Sequence, residues 1–143
     1  TIKGDQSFNS AGQRRKGVPE TADVRTAPGP SHPIVRTHPE TGYQALYLGR
    51  RKLAYVNGLP VDESEDMLDE LWGYATNTAL AWTNKWQVGD ILMWDNRCAM
   101  HHRTAFDPET RRIMHRVQTA GDRPTFSLNS GREGPHPRWA GAG

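Results

Sequence analysis

At 143 residues, with 18 Lys+Arg against 16 Asp+Glu and a net charge of +2, the chain is one domain's worth of near-neutral sequence. That balance excludes the strong, clustered basic excess of a nucleic-acid-binding domain, and no run approaches the about 18 consecutive apolar residues of a membrane span. Cys98 is the single cysteine, which rules out an internal disulfide or a Cys-rich zinc site; a cytoplasmic, reducing home is expected. The opening Thr1-Ile2-Lys3-Gly4-Asp5 lacks the apolar core of a signal peptide.

In chain order, residues 1–32 come first, rich in Gly, Ser and Pro, with Arg14-Arg15-Lys16 and Pro19, Pro28 and Pro30. Without helical or strand periodicity they are expected to be a flexible arm or an active-site lid. Residues 125–143 have a similar composition and are expected to be a tail. The packed part is 33–124. There, Pro33-Ile34-Val35-Arg36 reads as a strand start, His38-Pro39-Glu40-Thr41-Gly42 as a turn and Gln44 to Leu48 as the returning strand of a hairpin. Leu53 to Val56 is a further short strand, ended by Asn57-Gly58.

The convincing helix follows. Asp62 stands three residues before Glu65, a capping-box spacing, and Met67, Leu68, Leu71, Trp72 and Ala75 form one apolar face. Ile91-Leu92-Met93-Trp94 is apolar throughout, as in a strand covered on both faces. Asp107-Pro108-Glu109-Thr110 is a turn, and Arg112 to Thr119 is the last strand, with Arg112, Met114 and Arg116 on one face. Short strands, regular turns and one or two helices predict a mainly β fold, an antiparallel sandwich or partial barrel.

The densest chemistry lies between Trp94 and Arg116, where Asp95, Asn96, Arg97, Cys98, His101, His102, Arg103, Arg111, Arg112, His115 and Arg116 gather. Such a cluster fits an anion site, a metal-plus-anion site or an exposed basic strand. Sharing a face with Met114 points Arg112 and Arg116 inward, where guanidinium groups require anions or carboxylates to meet them.

Three blocks in order, Trp94-Asp95-Asn96-Arg97-Cys98-Ala99-Met100-His101, Arg111-Arg112-Ile113-Met114-His115-Arg116 and Gly121-Asp122-Arg123-Pro124, resemble the C-terminal half of the taurine/chlorophenoxyacetate dioxygenase (TauD/TfdA) family. Pro33 to Gly42 and Trp86-Gln87-Val88-Gly89-Asp90 resemble the same family, so the likeness covers 33–124. It implies a double-stranded β-helix, or jelly roll, of which this chain holds only the C-terminal portion. It also implies an Fe(II)/2-oxoglutarate-dependent dioxygenase that uses O2, with iron held by two histidines and a carboxylate. Carried across, the resemblance makes His101 the distal metal ligand, Arg112 the partner of the far carboxylate of 2-oxoglutarate, and Arg116 the contact to an anionic substrate group. The implied substrate is a small anionic organic molecule of the sulfonate or aryloxyalkanoate class, hydroxylated as 2-oxoglutarate is decarboxylated to succinate and CO2.

The motif count selects His101 over His102. His115, on the opposite strand face, reads as a packing or surface residue, Trp86 and Trp94 as packing residues, and Cys98 as a small buried hydrophobe. The only His-x-acidic triplet, His38-Pro39-Glu40, belongs to the turn, so the upstream His-x-Asp pair of the iron site has no counterpart and the isolated chain is expected to be inactive. The competing reading is a non-catalytic half-barrel binding module with an arginine-lined anion pocket. Neither a nucleic acid nor a membrane is an expected partner, and a homo-oligomer is allowed.

Overall fold

β1 (Ile2–Lys3) sits between β2 (Ser31–His32) and β5 (Tyr55–Val56) in a three-stranded antiparallel sheet, with Ile2 opposite both His32 and Val56. β3 (Val35–Thr37) and β4 (Gln44–Leu46) form a separate antiparallel hairpin in the register Val35↔Leu46, Arg36↔Ala45, Thr37↔Gln44. α1 (Val61–Ala75) packs on β5. The computed structural model describes residues 1–8, 13–49, 52–107 and 109–128. Among them the fold is mainly β with one α-helix and without a closed barrel; no helix is long and apolar enough to cross a membrane.

The core is made of Ile2, Leu48, Ala54, Val56 and Leu68, with Ile34, Leu46, Leu59, Leu71 and Trp72 packed around it. Ile2 is 1% exposed. Residues 1–32, expected as an arm, therefore supply two strands and a core side chain. Gly4 N–H donates to Pro30 O (2.9 Å) and Gln6 N–H to Pro28 O (2.9 Å), and buried Asp5 accepts from Ser7 N–H (2.7 Å) and Leu53 N–H (3.3 Å). Two-residue strands are too short to print a period-2 pattern, which hid them from sequence reading. Gly29 allows the approach: a Cβ there would lie 1.6 Å from Gly4 O.

The helix and its apolar face are as expected, with Leu68 fully buried. The capping box is not. The N-cap is Pro60, without a side-chain cap, and Ser64 N–H already donates to Pro60 O (2.9 Å). Asp62 is therefore inside the first turn with Glu63, serving the dipole rather than the cap. The buried Ser64 hydroxyl accepts from Val56 N–H at 2.9 Å and ties α1 to β5.

The hairpin turn closes through His38 N–H to Tyr43 O (2.8 Å) and Gly42 N–H to His38 O (2.9 Å), with Gly42 at φ +74, a left-handed conformation that suits glycine. Beyond the 3-10 turn at Thr78–Leu80 the expected strands 91–94 and 112–119 are not formed. Ile91, Met93 and Val117 are 95%, 91% and 96% exposed, and Arg112, Met114 and Arg116 are all exposed rather than turned inward. A strand is held by its ladder partners, and none lies beside these segments among the described residues. Near the end the chain returns to β3: Thr37 N–H donates to Thr125 O (2.8 Å) and Ser127 N–H to Thr37 Oγ1 (2.9 Å). The rest of the expected tail, 129–143, lies outside the described residues.

Candidate functional site

Two turns meet, the hairpin turn at His38–Gly42 and a turn at 95–99 closed by Ala99 N–H to Asp95 O (2.9 Å). Buried His38 uses both ring nitrogens. Nδ1 accepts from the Glu40 and Thr41 amides (3.3 and 3.2 Å), so the ring proton sits on Nε2, which donates to Asp95 Oδ2 at 3.0 Å. Arg97 closes the circuit. Its Nη1 donates to Glu40 Oε1 (2.8 Å), its Nη2 to Asp95 Oδ2 (2.7 Å) and its Nε to Asp95 Oδ1 (2.9 Å), while its backbone N–H adds a bond to Oδ1 (2.8 Å). The Arg97 hydrogen bonds, then that of His38, hold the Asp95 carboxyl well below the usual carboxylate range. The bonds to Asp95 and Glu40 raise Arg97 in turn.

Cys98, expected to be a buried hydrophobe, is exposed, with Sγ 3.8 Å from Asp95 O. Burial of part of the thiol pushes its pKa up, opposite to what an activated nucleophile needs. His38, Asp95 and Cys98 offer three donor atoms within 4.8 Å of one another. The Asp95 oxygens are already taken by Arg97 and His38, so the group is an ion-pair network rather than a prepared metal centre. His38-Pro39-Glu40 is the turn that the sequence reading assigns it to, and its two side chains face Asp95 and Arg97.

The structure does not bring the sequence-derived site residues together. His101 is exposed, its ring tilted at 48° on Trp94 with centroids 5.0 Å apart. Arg112 lies over the Phe106 ring at 5.4 Å, sharing it with Arg103 at 4.7 Å. Arg116, His102 and His115 are exposed. Trp86 is 39% exposed, while half-buried Trp94 donates Nε1–H to Asn96 Oδ1 at 2.7 Å. Among the described residues the one group of three or more metal-donor side chains close enough to share an ion excludes His101. The residues present therefore do not fit a three-ligand iron centre.

The family described as "Taurine catabolism dioxygenase TauD, TfdA family" matches residues 6–118. The chain belongs to the TauD/TfdA family. It is 39% identical over 101 residues to the alpha-ketoglutarate-dependent 2,4-dichlorophenoxyacetate dioxygenase of Cupriavidus pinatubonensis, covering 71% of this chain and 35% of that protein. It is 40% identical over 99 residues to the (S)-phenoxypropionate/alpha-ketoglutarate-dioxygenase of Sphingobium herbicidovorans, covering 69% and 34%. To the alpha-ketoglutarate-dependent sulfate ester dioxygenase of Pseudomonas putida it is 33% identical over 93 residues, covering 65% and 31%. The chain thus spans about a third of the length of these curated TauD/TfdA relatives. No solved structure matches it.

Sequence reading missed the His38–Asp95–Arg97–Glu40 circuit. Both of its halves lie inside blocks that resemble the family, but no periodicity reports that turns 57 residues apart meet.

Proposed function

We propose that this chain carries the distal-histidine and arginine portion of an Fe(II)/2-oxoglutarate-dependent dioxygenase that hydroxylates a small anionic substrate in the cytoplasm. The observation that carries the reading is the match over residues 6–118, together with the spacing of His101, Arg112 and Arg116. Relatives named for phenoxy acids and a sulfate ester support a substrate with a carboxylate or sulfur oxyanion, and a guanidinium such as Arg116 suits either as a bidentate partner. Arg112 takes the far carboxylate of 2-oxoglutarate by the same fork and so orients the cosubstrate. Among the described residues no two further donors stand with His101, so the 143-residue chain alone is expected neither to hold iron nor to turn over.

The test uses a polypeptide of the relatives' full length that carries this chain. It should release CO2 from 2-oxoglutarate when supplied with iron(II) and O2. Truncating one member of a buried charge pair costs about 2–5 kcal/mol, and about 1.4 kcal/mol is tenfold. Arg112→Ala should therefore raise the KM for 2-oxoglutarate roughly tenfold or more. An unchanged KM removes Arg112 from the site, and the absence of CO2 release removes the dioxygenase reading. The alternative, a binding module with an arginine-lined anion pocket, draws support from His101 lying outside the metal-donor group found among the described residues but not from Arg112 and Arg116, which stand exposed.

A further inference from the structure

Phe106 carries two guanidinium groups. The guanidinium carbon of Arg103 lies 4.7 Å from its ring centroid and that of Arg112 5.4 Å. The arrangement is local. Asp107, the next residue, opens a turn in which Thr110 N–H donates to Asp107 O (3.0 Å), the Thr110 hydroxyl to the same oxygen (2.6 Å) and Glu109 N–H to Asp107 Oδ1 (2.9 Å). The turn brings the chain back, and Arg112 returns to the ring that preceded it. All of these contacts lie within residues 103–112, so they need no partner strand from elsewhere in a longer polypeptide.

Among the described residues neither arginine has an ion pair; what holds them is the ring. A cation–π contact occupies the flat face of a guanidinium and leaves its in-plane N–H edge unused, and Arg112 is exposed. An arginine stem is otherwise free to rotate, and fixing it before a ligand arrives reduces the ordering lost on binding. We propose that Phe106 is a positioning residue of the cosubstrate site, its ring holding the Arg112 guanidinium with the in-plane edge free for a carboxylate. The proposal rests on the reading of Arg112 as the partner of the far carboxylate of 2-oxoglutarate, and adds to it a reason for an exposed arginine to keep one orientation. Arg103 shares the ring without being required, since the contact that orients Arg112 is aromatic.

The experiment has two arms. In the 143-residue chain, NMR follows the δ-methylene protons of Arg112, assigned by their absence in Arg112→Gln. The ring current of Phe106 should shift them upfield, Phe106→Leu should return them to the position of a free arginine, and Phe106→Tyr should not. In the polypeptide of the relatives' full length, Phe106→Leu should raise the KM for 2-oxoglutarate about two- to fivefold, as losing an exposed cation–π contact does, with kcat held. Phe106→Tyr should restore the KM, and Arg103→Gln should leave it within about twofold. Phe106 is 42% exposed, so its replacement should not unfold the chain; should Phe106→Leu do so, Phe106→Met removes the ring at similar volume. Unmoved δ-methylene signals in Phe106→Leu overturn the contact. A KM that Arg112→Ala raises and Phe106→Leu does not overturns the positioning role and leaves Arg112 in place, whereas a KM that Arg112→Ala leaves unchanged removes both. An Arg103→Gln effect as large as that of Phe106→Leu assigns the effect to charge and overturns the ring.

Discussion

Residues 1–75 and 81–128 carry apolar patterns of similar quality and meet opposite fates. In the first stretch Ile2, Ala54, Val56 and Leu68 are buried together, while in the second Ile91, Met93 and Val117 stand almost wholly in solvent. Composition does not separate them; partners do. β1 has a strand on each side and α1 over its sheet, whereas Ile91-Leu92-Met93-Trp94 has no ladder partner among the described residues. Apolar periodicity states which face is available for burial, and only a second element makes the burial happen.

The largest expected effect breaks or confirms this contrast directly. Leu68→Ala should cost about 2–5 kcal/mol, the usual range for a buried leucine, while Ile91→Ala should stay within about 0.5 kcal/mol, as exposed substitutions do. Denaturant unfolding of the two variants measures both. An Ile91→Ala cost equal to that of Leu68→Ala would mean that the two stretches share one core.

A smaller effect sharpens the account of the first stretch. Ser64→Ala strips the acceptor from the Val56 amide in a buried place. Leaving such a donor unpaired costs about 1–3 kcal/mol. Asp62→Ala, which touches only the dipole of the first turn, should cost about 0.3–1 kcal/mol. The reverse ranking, read from the same unfolding curves, would restore Asp62 as the cap that the sequence suggested.

Much of the first stretch was legible. The hairpin over 33–48, the short strand near Tyr55 and the face of α1 follow from local chemistry that operates inside one element. β1 and β2 were not legible, because Ile2 pairs with His32 and Val56 across long stretches of chain and a two-residue strand shows no period. The family was legible from the blocks around His101 and Arg112, which match as residues in order whatever their surroundings. The His38–Asp95 contact was not legible, because a buried histidine in a turn takes its meaning from the turn facing it.

That contact joins the two stretches and gives the smallest of the expected effects, since Asp95 and Arg97 are both partly solvated and such pairs are screened. Arg97 and His38 hold the Asp95 carboxyl below its ordinary range. The folded state therefore binds the Asp95 proton more weakly than the unfolded chain, and stability rises with pH across the interval between the two values. The contribution is complete above about pH 4, the ordinary aspartate range, and is lost as the pH falls through the lowered folded value. Asp95→Asn removes the titrating group but leaves an acceptor for His38. Thermal midpoints recorded against pH should show the wild type ahead of Asp95→Asn near neutrality, with the gap closing as the solution is acidified below about pH 4. A gap that persists at low pH would assign the loss to packing at the turn. Equal midpoints at every pH would show that the circuit orients the two turns without contributing to stability, leaving the hydrogen bonds of Thr37 to Thr125 and Ser127 and of Gln44 to Ser127 among the ties between the stretches.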